Sequence, residues 1–144
     1  RDPALVVLQY GTNESELSQL DHDEYERAFS ELIDELHEVA EGASVLVVAP
    51  LDRAELRAGR MVSRPIIVDL VAMQRRVALA HGASFWSTFD AMGGKGSMAH
   101  WVKARPQLAG ADLTHTTPLG AEVLGSMLSD TLVASFDRWE RGGS

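Results

Sequence analysis

Two short, nearly uninterrupted apolar runs, Ala4-Leu-Val-Val-Leu8 and Ser44-Val-Leu-Val-Val-Ala49, constrain the fold more than any other feature of the chain. The first gives way to the breaker Gly11 and the second to Pro50. A strand of this make-up is apolar on both faces and must be covered on both, which is the situation inside a parallel sheet. Between the two runs, Tyr25, Phe29, Leu32, Ile33, Leu36 and Val39 recur at helical spacing from Asp21 to Glu41. Asp21, Asp23 and Glu24 crowd the first turn of that helix, where negative charge meets the positive end of the helix dipole, and Gly42 ends it.

The alternation continues. A polar loop containing Arg53, Arg57, Arg60 and Arg64 leads to a helix over 66–81, with Ile66, Leu70, Met73 and Val77 on one face. Gly82 closes it, and Ala83-Ser-Phe-Trp86 reads as a third strand. A glycine-rich loop, Met92-Gly-Gly-Lys-Gly96, precedes a short helix through Trp101. The last helix starts near Thr117-Pro118, with Leu124, Met127, Leu128, Leu132, Phe136 and Trp139 as its expected buried stripe. This order predicts an α/β fold, with a parallel sheet and right-handed crossovers. One domain is expected over 1–140, with 141–144 as a disordered tail. Three doubly apolar strands leave an apolar edge unpaired, so the sheet reads as incomplete.

Composition removes several function classes. The formal net charge is −8 and no basic patch is present, which opposes a nucleic-acid partner. Cysteine is absent, which excludes disulfides, thiolate zinc sites and a cysteine nucleophile. Neither H-E-x-x-H nor G-x-x-x-x-G-K-[ST] occurs, so no metal or nucleotide cofactor is expected. No segment is long and apolar enough to span a bilayer. No signal peptide is visible, and Arg1 is not a natural start.

Chemistry in open α/β sheets gathers beyond the carboxyl ends of the strands. Gly11-Thr12-Asn13 follows the first strand there. Two roles fit Asn13: a side-chain donor to a developing oxyanion, or the centre of an Asx-turn that satisfies local backbone groups. Asp112-Leu-Thr-His115 lies just before the last helix. Three residues apart on a loop, the carboxylate can hold one imidazole nitrogen and leave the other free to take a proton from a nucleophile. A capping Asp112 beside a surface His115 is the alternative. His22, His37, His81 and His100 read as structural. A nucleophilic serine is missing: no G-x-S-x-G or S-x-x-K occurs, and Ser97 and Ser126 follow glycines away from any strand-to-helix turn.

Taken together, Gly11-Thr12-Asn13-Glu14 at a strand end and Asp112-x-x-His115 before the last helix resemble the SGNH (GDSL) hydrolase family across essentially the whole chain. The resemblance implies a flavodoxin-like three-layer α/β/α fold. It makes Asn13 an oxyanion donor, Gly11 the residue that permits its turn, Asp112 the orienting acid and His115 the general base. The family's Gly-Asp-Ser block, with the nucleophilic serine, and its second block, a glycine donating a backbone N–H, normally precede the third strand. Here that strand begins at Ala4. The expectation is therefore a C-terminal portion, with the serine upstream of Arg1 on about two strand–helix units, or roughly 60 or more residues. The 144 residues alone are expected to be inactive and to associate through the uncovered sheet edge.

The run Ala91-Met-Gly-Gly-Lys-Gly-Ser-Met98, then Trp101, is similar to a branch containing peptidoglycan and polysaccharide O-acetylesterases, which are typically exported. On that likeness Gly93 and Gly94 wall the site, and Trp101 is either buried or stacked on sugar. The expected function is a serine esterase acting on small acyl esters, above all acetylated carbohydrate. A lysophospholipase or thioesterase of the same superfamily, and a non-catalytic carbohydrate-binding module, are the alternatives.

Overall fold

A computed structural model describes residues 3–17 and 19–142. Strand β1 (Leu5–Gln9) leads through a 3-10 turn (Glu14–Glu16) to helix α1 (His22–Val39) and strand β2 (Ser44–Ala49). A hairpin of β3 (Ala54–Arg57) and β4 (Arg60–Ser63) follows, then α2 (Pro65–Ala80), β5 (Ser84–Ser87), α3 (Thr88–Met92), α4 (Ser97–Lys103) and α5 (Pro118–Gly142). The helix starts agree with their sequence signals. Asp21 caps α1 by accepting the Glu24 N–H, and Pro65 opens α2, where a missing N–H costs nothing. Helix α5 includes Arg141 and Gly142; residues 143 and 144 lie outside the described residues.

The main sheet is parallel with order β1-β2-β5, and β3-β4 forms a separate antiparallel pair. Alternate residues divide β2 between two layers. Val45 and Val47 pack with Phe29 and Ile33 of α1 and Val77 and Ala78 of α2. On the opposite face, Val48, Val7 and Trp86 face Ala121, Leu124 and Leu128 of α5 across a cleft. The result is the three-layer α/β/α arrangement.

Three expectations need correction. First, β1 is not covered on both faces. It forms a margin of the sheet, and Leu5 and Val7 are 43% and 53% exposed, whereas β2, flanked on both sides, is buried from Val45 to Ala49. Secondly, the arginine-rich segment is no irregular loop but the β3-β4 hairpin. Its two-residue turn, Ala58-Gly59, has φ of 49° and 74°, the positive pair that matches the twist of the flanking strands.

Thirdly, the stripe on α5 is not buried. Met127, Leu132, Phe136 and Trp139 are exposed, Leu124 and Leu128 are half-buried, and Gly120 is the buried residue of the helix. At about 1.5 Å per residue a helix of 25 residues is far longer than the six-residue strand it crosses, so its second half passes beyond the sheet. Phe136 and Trp139 there contact each other, with ring centroids 5.7 Å apart. Among the described residues, no helix is long and apolar enough to cross a membrane.

Candidate functional site

Two loops at the carboxyl ends of the strands carry the residues singled out from the sequence. After β1 the chain turns at Gly11, where φ is 110°. A Cβ at this position would lie 2.9 Å from Gln74 Nε2 and 3.2 Å from the Pro50 ring, so glycine is required by space as well as by conformation. Gln74, fully buried on α2, donates from Nε2 to the Tyr10 carbonyl at 3.0 Å and to the Tyr25 hydroxyl at 2.8 Å. Burial pushes the Tyr25 hydroxyl up to about 12, so it stays neutral.

Asn13 stands exposed at the start of the 3-10 turn, and its side chain makes no capping hydrogen bond. The Asx-turn alternative is therefore not realised. Ser15 closes the turn instead. Its N–H donates to the Gly11 carbonyl at 3.1 Å and its hydroxyl to the Thr12 carbonyl at 2.5 Å. Among the described residues the Asn13 amide has no hydrogen-bond partner.

In the second loop the two oxygens of Asp112 divide their work. Oδ1 accepts the backbone N–H groups of Thr114 and His115, each at 3.0 Å, and Oδ2 lies 2.8 Å from His115 Nδ1. A carboxylate only accepts, so Nδ1 carries its proton toward Asp112, and Nε2, on the far side of the ring, is the basic nitrogen. Leu113, at φ 62°, curls the loop, buries its side chain in the core and offers its carbonyl to the Ala54 N–H at 3.0 Å. Gly110 N–H closes the loop on the His115 carbonyl at 2.7 Å.

The His115 ring is 74% exposed. Its neighbour Thr116 lines a cleft of about 300 Å³ with Gln9, Val48 and Leu51, which places the pair at the strand ends from which Asn13 also emerges.

The hydrogen bonds from the His115 backbone, then the His115 ring, then the Thr114 backbone hold Asp112 down at about 2, against an ordinary 3.8. Because the folded value is the lower one, the stability this group contributes is present above about pH 4 and is lost as pH falls toward 2. A carboxyl-carbon NMR titration should give an Asp112 midpoint near 2. A midpoint near 4 would contradict this hydrogen-bond geometry.

The glycine-rich segment divides. Gly93 and Gly94, at φ 113° and 74°, turn the chain between α3 and α4, their N–H groups donating to Asp90 and Phe89 carbonyls. Trp101 is 8% exposed, sits in a core cluster with Met92, Met98 and Leu113, and donates its indole N–H to the Met92 carbonyl at 3.1 Å. It belongs to the core rather than to a sugar-stacking surface.

Several residues of the site escaped sequence reasoning. Gln74 and Ser15 have no pattern to mark them. Asp52 had one: it follows β2 at the strand end where reactive groups gather. It is fully buried and accepts from Ser63 Oγ at 2.9 Å, the Met98 N–H at 2.8 Å and Ser97 Oγ at 3.4 Å.

A three-layer α/β/α fold around a parallel sheet is the architecture of SGNH-type hydrolases. The chain belongs to the GDSL-like lipase/acylhydrolase family, whose sequence profile matches residues 1–123. Among solved structures it is similar to one described as "Peptidoglycan O-acetylesterase in action, 5 min", at 27% identity and a TM-score of 0.84, over 91% of this chain and 37% of that one. It is also similar in fold to Est24, a carbohydrate acetylesterase from Sinorhizobium meliloti, at 18% identity and a TM-score of 0.60, over 90% of this chain and 60% of that one. The chain therefore spans about a third of the first protein and three-fifths of the second. Among curated proteins none matches the sequence significantly.

Proposed function

We propose that this chain forms the acid–base and oxyanion half of an ester hydrolase acting on small acyl esters, with acetylated carbohydrate or peptidoglycan as the substrate class. The observation that carries the reading is the Asp112–His115 pair, with Oδ2 2.8 Å from Nδ1 and the ring otherwise exposed. The nucleophile is a serine on the part of the family's domain that these 144 residues do not span. Among the described residues no serine hydroxyl bonds the His115 ring. The likeness to a peptidoglycan O-acetylesterase at 27% identity supports the acetyl substrate, and an exported setting belongs to the same proposal, since peptidoglycan lies outside the cytoplasm.

His115 Nε2 takes the serine proton as the serine oxygen bonds to the acyl carbon. Asp112, ionised at any working pH, stabilises the imidazolium that results. The carbonyl oxygen gains negative charge and receives a hydrogen bond from the Asn13 amide. Collapse expels the sugar hydroxyl, which leaves with the proton held on Nε2. Water then repeats the sequence on the acyl-enzyme, releasing the carboxylic acid and the serine.

Asn13→Ala in the full-length protein should lower kcat by about 10²–10³ with little change in KM, since the donor acts on charge that exists only in the transition state. Initial rates on an acetyl ester check this. An unchanged kcat would remove Asn13 from the oxyanion site.

One observation favours a second reading, a hydrolase of longer acyl chains. A hollow of about 340 Å³ beside the Asn13 turn is lined by Tyr10, Leu17, Leu20, Tyr25, Phe29 and Leu32. A series of esters from acetyl to octanoyl separates the two: kcat/KM falling with chain length supports the acetyl substrate, and kcat/KM rising supports the longer one.

A further inference from the structure

Three consecutive residues after β2 reach three separate parts of the site. The buried Asp52 carboxylate holds Ser63 and the Met98 N–H, and the Ser63 hydroxyl in turn accepts the Gly96 N–H at 2.7 Å, so the glycine-rich segment is anchored here. The Arg53 guanidinium, only 17% exposed, donates to Ser15 Oγ and to the Glu16 carboxylate, both at 3.1 Å. Ala54 N–H bonds the Leu113 carbonyl inside the loop of Asp112 and His115. Arg53 is thus fixed on one side to the loop of the basic histidine and on the other to the segment behind it.

What Arg53 holds is specific. Ser15 is 1% exposed, and its hydroxyl receives Arg53 while donating to the Thr12 carbonyl, the group that shares a peptide plane with the Asn13 nitrogen. Arg64 supports the same turn: its N–H donates to the Arg53 carbonyl at 2.8 Å, and its guanidinium reaches the Leu17 carbonyl at 3.2 Å. The Arg53–Glu16 ion pair by itself contributes little, because the Glu16 side chain is 67% exposed. The part-buried Arg53–Ser15 contact is the connection that transmits position.

We propose that Arg53 is a positioning residue for ester hydrolysis: through Ser15 it fixes the Thr12–Asn13 peptide, and so the direction from which the Asn13 amide meets the oxyanion, relative to the loop that carries His115. The inference rests on the esterase reading above. Its physical basis is that an oxyanion donor works only if preorganised, and displacement by about 1 Å can cost 10²-fold in rate. A lysine substitutes poorly, since its flexible stem and freely rotating ammonium lack the rigid planar fork that fixes the direction of the donor on Ser15.

The test is a double-mutant cycle in the full-length protein, with kcat, KM and thermal unfolding measured for Arg53→Ala, Asn13→Ala and the pair on an acetyl ester. Arg53→Ala should lower kcat by roughly tenfold to a hundredfold and leave KM nearly unchanged. In the Asn13→Ala background the same change should alter kcat by no more than about twofold, because the group being positioned is gone. Arg53→Lys should behave like Arg53→Ala.

Equal losses in both backgrounds would assign Arg53 a purely structural role and overturn the proposal. If Arg53→Ala fails to fold, Ser15→Ala, which removes one hydroxyl from the same path, carries the cycle with the same expected non-additivity. A wild-type protein without ester hydrolysis would overturn this inference and the esterase reading together. Wild-type turnover with additive losses would overturn the positioning role alone.

Discussion

His115→Ala in the full-length protein should reduce ester hydrolysis by about 10⁴-fold or more, the loss seen when the base of a serine–histidine–acid set is removed. The fold should survive. The His115 ring is largely exposed, and the bonds that close its loop come from backbone groups and from Asp112 Oδ1. Circular dichroism and thermal unfolding close to wild type would show that the loss is chemical. Activity within tenfold of wild type would show that another group accepts the proton.

Asp112→Asn is the second large effect and acts through the tautomer. The amide oxygen can keep the position of Oδ1, which accepts two backbone N–H groups. The amide NH2 then replaces Oδ2 and donates toward Nδ1, so the ring's proton moves to Nε2 and the basic nitrogen is lost. A change of this kind at a triad acid lowers kcat by about 10⁴ with the geometry intact. Asp112→Ala should also lose activity, but it opens the loop as well, so it should lower the unfolding temperature where Asp112→Asn does not. A full kcat for Asp112→Asn would show that the carboxylate does not set the ring's tautomer.

Much of this layout was legible in the residues. The apolar run 44–49 is β2 to the residue, and Thr117-Pro118 marks the start of α5 because capping chemistry is local. The spacing of Asp112 and His115 foretold their contact, since three residues on a closed loop leave the side chains little else to meet.

What the sequence hid depends on contacts between distant segments. The stripe on α5 has the periodicity of a buried face, yet periodicity says which residues share a face and not whether anything covers it. The apolar residues of β1 hide their exposure for the same reason. The hairpin at 54–63 was missed because Arg57 and Arg60 within it and Arg53 and Arg64 beside it make the segment read as polar loop, although Ala58-Gly59 between alternating side chains is a turn signal. Gln74, Asp52 and Arg53 reach the site across 64, 46 and 38 residues of chain respectively, beyond any local pattern.

In the proposed function this chain carries the proton-accepting histidine and an oxyanion donor, and the serine nucleophile lies outside these residues. An organophosphonate ester that traps activated serines, followed by intact-mass and peptide mass spectrometry of the full-length protein, tests that directly. The expected result is one phosphonyl adduct on a serine outside residues 1–144, formed rapidly by the wild type and slowed by orders of magnitude in His115→Ala. An adduct on a serine within these residues, or labelling unaffected by His115→Ala, would contradict it.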